Sequence, residues 1–155
     1  MAEIKDKIGL KGRCHVQLFD KDGKLKDESI VMNTVTKVGD AHVADQLSGT
    51  PGEDPMSHMA IGTGTTAATS DDTTLETELD RNALTSSNQG SGGDDNDVIY
   101  IGDWAAGDGT GAITEAGVLN AAANGTLLCH AVFAVKNKGA SDTLKITWTF
   151  TCGAS

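Results

Sequence analysis

Hydrophobic residues along this 155-residue chain recur mainly at every second position. The clearest run is Leu144–Phe150. There Leu144, Ile146, Trp148 and Phe150 share one face, and Lys145, Thr147 and Thr149 share the other. Leu127–Val135 likewise sets Leu127, Cys129, Ala131, Phe133 and Val135 on one side. Period two with one apolar face predicts half-buried antiparallel strands. Asn124-Gly125 is a hairpin signal because both residues tolerate positive φ. Lys138-Gly139 with Ser141-Asp142 marks a second turn. Residues 112–152 are therefore expected to form a three-stranded β-meander, the rigid half of the core.

The same period appears at the other end of the chain. Cys14, Val16 and Leu18 alternate with His15 and Gln17, Asp20–Gly23 makes a turn, and Ser29–Thr36 returns. This predicts a hairpin over 13–36. Between residues 37 and 48 the period changes: Val38, Ala41, Ala44 and Leu47 recur at helical spacing, and the Gly49-Thr-Pro51-Gly run stops the helix. His42 falls off that stripe and is expected in solvent. Further strands are predicted at 56–62 and 97–104, and a single helical turn leading into a strand at 75–87. Surface loops are expected at 49–56, 63–75 and 88–97. Residues 1–12 carry Ile4, Ile8 and Leu10 among charged neighbours and read equally as a first strand or as an N-terminal arm that orders on a partner; they are set apart as an arm before one domain over 13–155. Seven or eight strands, long crossovers and one short helix on a connection predict an all-β chain. Its expected form is a Greek-key or jelly-roll-like β-sandwich.

Composition narrows the function classes. Aromatic residues are few, so Phe19, Trp104, Phe133, Trp148 and Phe150 are the expected core anchors. The net charge of −10 argues against nucleic-acid binding. No apolar run reaches bilayer length, so no membrane partner is expected. The first residues lack a hydrophobic signal core, which argues against Sec export. Cys14, Cys129 and Cys152 show no Cys-x-x-Cys spacing and read as reduced thiols of a protein made in a cytoplasm.

Candidate chemistry is sparse. Asp20-Lys-Asp-Gly23 departs from a calcium loop, with glycine fourth and Val31 at the twelfth position. Gly62-Thr-Gly-Thr-Thr follows a strand and has the outline of a phosphate cradle. It lacks both the Gly-Lys-Ser/Thr of a P-loop and the third glycine of a dinucleotide fingerprint. Asp94, Asp95, Asn96 and Asp97 offer oxygen ligands, but adjacent side chains rarely converge; whether calcium binds there stays open. The repeated pairs Cys14-His15 and Cys129-His130 fit cysteine-in, histidine-out alternation; zinc would need four ligands on one face. Glu115, with Asp103 as a conceivable second carboxylate, would suit glycoside hydrolysis only if the two faced each other. An outward or interface charge is the plainer expectation for Glu115. No catalytic residue, cofactor or metal ligand is expected.

Several stretches resemble a family of tailed-bacteriophage structural proteins. They are Ile8–Arg13, the Asn33-x-Val-x-x-Val-Gly39 helix entry, His58–Ala68, Asp72–Arg81, Gly111–Ala122 and Thr143–Thr149. Loops 49–56 and 88–97 diverge. The family includes small β-rich head decoration (cement) proteins, and similar modules occur in tails and fibres. The resemblance implies a protein of the virion head surface, made in the host cytoplasm. It implies the major capsid protein as partner, and a homo-oligomer, commonly a trimer. Ile4, Ile8 and Leu10 are then the expected capsid or protomer contacts, by strand addition to a sheet edge. The alternative is a tail or fibre module binding a host surface or another tail protein. Trp104, beside Gly107–Gly111, would be its exposed aromatic.

Overall fold

The structure, a computed structural model, describes residues 8–154. In chain order the elements are β1 (Ile8–Phe19), β2 (Leu25–Met32), β3 (Thr34–Val35), α1 (Lys37–Leu47), β4 (His58–Gly62), β5 (Glu78–Ala83), β6 (Ser86–Gln89), β7 (Asp97–Trp104), β8 (Gly111–Leu119), β9 (Leu127–Lys138) and β10 (Thr143–Ala154). They form two antiparallel five-stranded sheets. The first, sheet A, has the order β2-β1-β10-β7-β6, and the second, sheet B, the order β3-β9-β8-β4-β5. The chain is an all-β sandwich with one short helix on a connection.

Both sides of the sandwich are closed by chain that changes sheets. β2 pairs with β1, and after Asn33 the chain continues as β3 against β9. On the other side β5 pairs with β4, and after Leu84 and Thr85 the chain continues as β6 against β7. Hydrogen bonds carry each crossing. Asn33 N donates to Gly12 O and Thr36 N to Leu128 O, both at 3.1 Å; Leu84 N donates to Ser57 O at 2.9 Å and Thr85 N to Ile101 O at 2.8 Å. The run β4, β5/β6, β7 with β8 returning beside β4 is a Greek key.

The alternation in β1 and β10 is realised as read. Cys14, Val16 and Leu18 face Leu144, Ile146, Trp148 and Phe150 in the core, joined by Met59, Ile61, Trp104, Ile113 and Val118. Burying each large aliphatic side chain contributes about 1.5–3 kcal/mol. A smaller cluster lies on the outer face of sheet B: Ala60, Leu119 and Leu127, capped by Leu75 from the connection between β4 and β5.

Five sequence expectations change. Residues 112–152 are not one meander: β8 and β9 pair in sheet B, but β10 crosses to sheet A between β1 and β7. The Lys138–Asp142 break joins two sheets, which a short turn signal does not distinguish from a hairpin. Val135 is exposed rather than inward. The β8–β9 register slips between Ile113/Lys136 and Glu115/Val132, which bulges β9 and turns Lys136 and Lys138 inward. No helical turn precedes β5; bends lead into it. Residues 8–12 of the expected arm are strand, paired with the last residues of β10, while Ile4 lies outside the described residues.

The fifth change is His42, which is buried while Ala41, Ala44 and Leu47 are exposed. Gly39 explains the rotation of α1. A Cβ there would stand 2.3 Å from Leu128 O, so the helix lies directly on β9 at that residue. The inward row becomes Gly39, His42, Val43 and Gln46. Thr36 caps the helix, accepting from Gly39 N at 2.9 Å while its hydroxyl donates to Leu127 O.

Candidate functional site

Ile8 and Leu10 begin β1 beside the last turn of α1. Ile8 is 76% exposed and Leu47, across from it, is 72% exposed. With Leu10, Val43, Ala44 and the acidic Asp40 they line a largely apolar depression at one end of the sandwich. Behind it a groove of about 200 Å³ runs from Leu10 and Val43 to Tyr100 and Phe150. Of the sequence-expected contact residues, the structure thus places Ile8 and Leu10 together on an open apolar surface.

The densest polar arrangement lies on the opposite sheet, and the sequence reading missed it. Glu115 projects from the outer face of β8, yet it is fully buried, because the connection over residues 63–77 folds across it. Its Oε1 accepts from Gly64 N at 3.0 Å and Thr77 N at 2.7 Å. Its Oε2 accepts from Glu76 N at 3.0 Å and contacts His130 Nε2 at 2.7 Å. The other ring nitrogen of His130, Nδ1, lies 2.7 Å from Asp72 Oδ2. Each of these two contacts needs one hydrogen. That hydrogen is carried by the ring nitrogen or by the facing carboxyl.

Asp72 also accepts from the backbone and hydroxyl of Thr69. Burial works against its ionisation, but the hydrogen bonds from His130 and Thr69 outweigh it and hold the carboxyl below its ordinary 3.8. Thr114 donates to Gly64 O, and Glu76 accepts from the Thr66 backbone and hydroxyl. The glycines are steric requirements. A Cβ on Gly62 or Gly64 would stand 2.5 or 2.6 Å from Glu115 Oε1. The run that outlines a phosphate cradle is therefore an anion cradle already filled by the protein's own carboxylate.

This clasp fastens a connection and has no free reactive group. All four acceptor positions of Glu115 are engaged, and both ring nitrogens of His130 are held. The open hollow beside it, about 470 Å³, is lined by Thr66, Asp71, Asp72, Thr74, Glu76 and the His130 ring itself. Asp103 is exposed on the outer face of sheet A, and Glu115 lies under the cover of sheet B. The two carboxylates cannot flank one glycosidic bond. Glu115 is outward from the core, as expected of a strand-borne charge, but buried rather than solvated.

The other candidates are also separated. Cys14 and Cys129 point into the core, His15 pairs with Glu28 on the outer face of sheet A at 2.8 Å, and His130 sits in the clasp. Among the described residues no three His, Cys, Asp or Glu side chains group to hold a metal. In the 88–97 loop, Asn96 donates to Cys152 O and Asp97 accepts from Thr151. Asp94 and Asp95 are exposed. Trp104 is fully buried, which removes the exposed aromatic expected of a tail or fibre module. Among the described residues no helix is long and apolar enough to cross a membrane.

A signal for the clasp existed. Glu115 is the one charged residue of Ala112–Leu119, and His130 interrupts the apolar run Leu127–Val135; the two runs are joined through the Asn-Gly turn. The β8–β9 register, Gly117 opposite His130 and Glu115 opposite Val132, makes them diagonal neighbours. The chain matches no family model, no curated protein and no solved structure.

Proposed function

We propose that this chain is a bacteriophage head decoration protein that binds the outside of the capsid and braces the shell against internal DNA pressure. Two lines support the reading. One is the resemblance of its sequence stretches to phage structural proteins. The other, which carries the structural side, is the apolar surface formed by Ile8, Leu10, Val43, Ala44 and Leu47 on an otherwise acidic chain. Exposed apolar patches of this kind mark contact sites. Repeated over a shell, many modest contacts sum to large stabilisation. The net negative charge keeps the free protein soluble and away from packaged DNA.

The test mixes purified protein with phage heads that lack it, pellets the heads, and counts bound copies. Heads are then heated until they release DNA. Saturable binding with DNA retained to higher temperature supports the proposal. Ile8→Asp and Leu47→Asp should each weaken binding at least about tenfold, the loss expected for a charge at an apolar contact. Absence of binding to heads, with binding to tails or host cells instead, overturns it in favour of a tail or fibre module.

A further inference from the structure

The two sheets differ in what covers them. The outer face of sheet B lies under residues 63–77, whereas among the described residues nothing layers the outer face of sheet A. Its side chains follow from the register. One row across β1, β10 and β7 is Lys11, Thr151 and Asp97. The next is Met32, Arg13, Thr149, Ile99 and Asn88, reaching β2 and β6. Then come Ile30, His15, Thr147, Ile101 and Ser86, and then Glu28, Gln17, Lys145 and Asp103. Met32 is 65% exposed, Ile30 is also exposed, and Ile99 and Ile101 are half-buried.

These rows hold three cations (Lys11, Arg13, Lys145) and three carboxylates (Glu28, Asp97, Asp103). The face is neutral in a chain of net charge −10. Among the described residues none of the three cations is in a salt bridge. Two strongly acidic copies repel least where charge is balanced.

From this face we infer that two copies of the chain associate back to back through sheet A, about a twofold axis running along β10. β10 is the middle strand of five, so the axis lays β1 of one copy over β7 of the other and preserves height along the strands. Lys11 then meets Asp97 of the second copy, and by symmetry Asp97 meets its Lys11. The Arg13 stem covers Ile99, and the His15 ring covers Ile101. Gln17 meets Asp103. The two Lys145 side chains approach at the axis, each next to an Asp103 of its own sheet. The alternative axis, across the strands, would set β1 on β1 and cation near cation.

The interface is isologous. Strand spacing alone gives about 400 Å² of sheet on each copy, about 800 Å² in total, below the roughly 1,200 Å² at which stable specific interfaces begin and in the range of weak, transient ones. The pair should therefore form reversibly with rising concentration. Its stoichiometry differs from the trimer that the family resemblance implies, and it does not depend on capsid binding.

The experiment is sedimentation velocity of the full chain over a concentration series, with circular dichroism to check folding. Wild type should shift from monomer to dimer. Lys11→Glu and Asp97→Lys each place like charges together twice per dimer, and should raise the dissociation constant at least about tenfold. The double variant Lys11→Glu/Asp97→Lys restores the pairs with signs reversed, and should regain most of the association. A wild type that stays monomeric at millimolar concentration overturns the inference. So does a trimer, or single swaps that associate as wild type does. Head binding is read separately, so a failed dimer and a failed decoration role are distinguishable.

Discussion

Replacing Glu115 by alanine should be among the most damaging single changes in the chain. The substitution deletes the acceptor for Gly64 N, Glu76 N and Thr77 N and leaves His130 without its Nε2 partner. Gly64 N and the Nε2 side of His130 are buried, and each donor left unsatisfied there costs about 1–3 kcal/mol. The Glu76 and Thr77 amides are partly buried and regain water in part. The sum is about 4 kcal/mol, a large share of a typical domain's ~5–15 kcal/mol. Urea unfolding should show the midpoint falling by about 2 M.

Glu115→Gln keeps an oxygen for Gly64 and Thr77 but points an NH₂ toward His130 and Glu76 N, so about half the loss is expected. Asp103→Ala, on the bare face, should change stability by no more than about 0.5 kcal/mol. Hydrogen exchange localises the effect, because the Gly64, Glu76 and Thr77 amides should lose protection first. A Glu115→Ala loss under about 1 kcal/mol, or unchanged exchange at those amides, would refute the clasp as the fastening of residues 63–77.

Acid should loosen the fold from about pH 4.5 downward. Asp45 (held by the Gly52 and Glu53 amides), Glu76 (by the Thr66 amide), Asp142 (by Lys26) and Asp72 all have lowered folded values against ordinary 3.8 for Asp and 4.5 for Glu. Their stabilisation is present above the ordinary values and lost as pH falls through the lower folded ones. Asp72→Asn should make the thermal midpoint less steep in pH below about 4, and an identical slope would count against the Asp72–His130 contact. Gly39→Val drives a side chain into Leu128 O and should cost about 2–3 kcal/mol with loss of α1 packing, read by urea unfolding. Burial pushes the Cys14 and Cys129 thiols up, so a thiol reagent should modify only half-buried Cys152 in the native protein and all three thiols after unfolding.

Most strands were legible because their alternation is local. β7 matches the predicted Asp97–Trp104 run, and β4 falls within the predicted 56–62. Sheet membership was not legible, since Lys138–Asp142 reads the same whether β10 returns to its neighbour or crosses the core. α1 was legible as a helix, but its facing was not. Counting apolar residues pointed to Ala41, Ala44 and Leu47, whereas close packing on β9 is possible only where Gly39 removes the side chain. The clasp was hidden for a related reason: Glu115 and His130 matter only once residues 63–77 fold over them, a contact more than 35 residues distant for Glu115.

The covering of one sheet and the bareness of the other follow from a difference in pattern that treating Leu127–Val135 as strictly alternating obscured. β8 is buried from Ile113 through Leu119, and β9 from Leu127 through Ala131, on both faces alike. Continuous apolar runs of this kind demand cover on both sides. Residues 63–77 supply it, with Leu75 against Ala60, Leu119 and Leu127, and with Glu115 satisfying the amides that such a buried connection would otherwise leave unpaired. β1 and β10 alternate strictly, with Thr147, Thr149 and Thr151 outward, and such strands tolerate water on one side. An outward face of threonine, isoleucine and balanced charge is stable without a cover and remains free to take one. Among the described residues the faces left open are therefore sheet A and the Ile8–Leu47 end, and sheet B is closed by the chain itself.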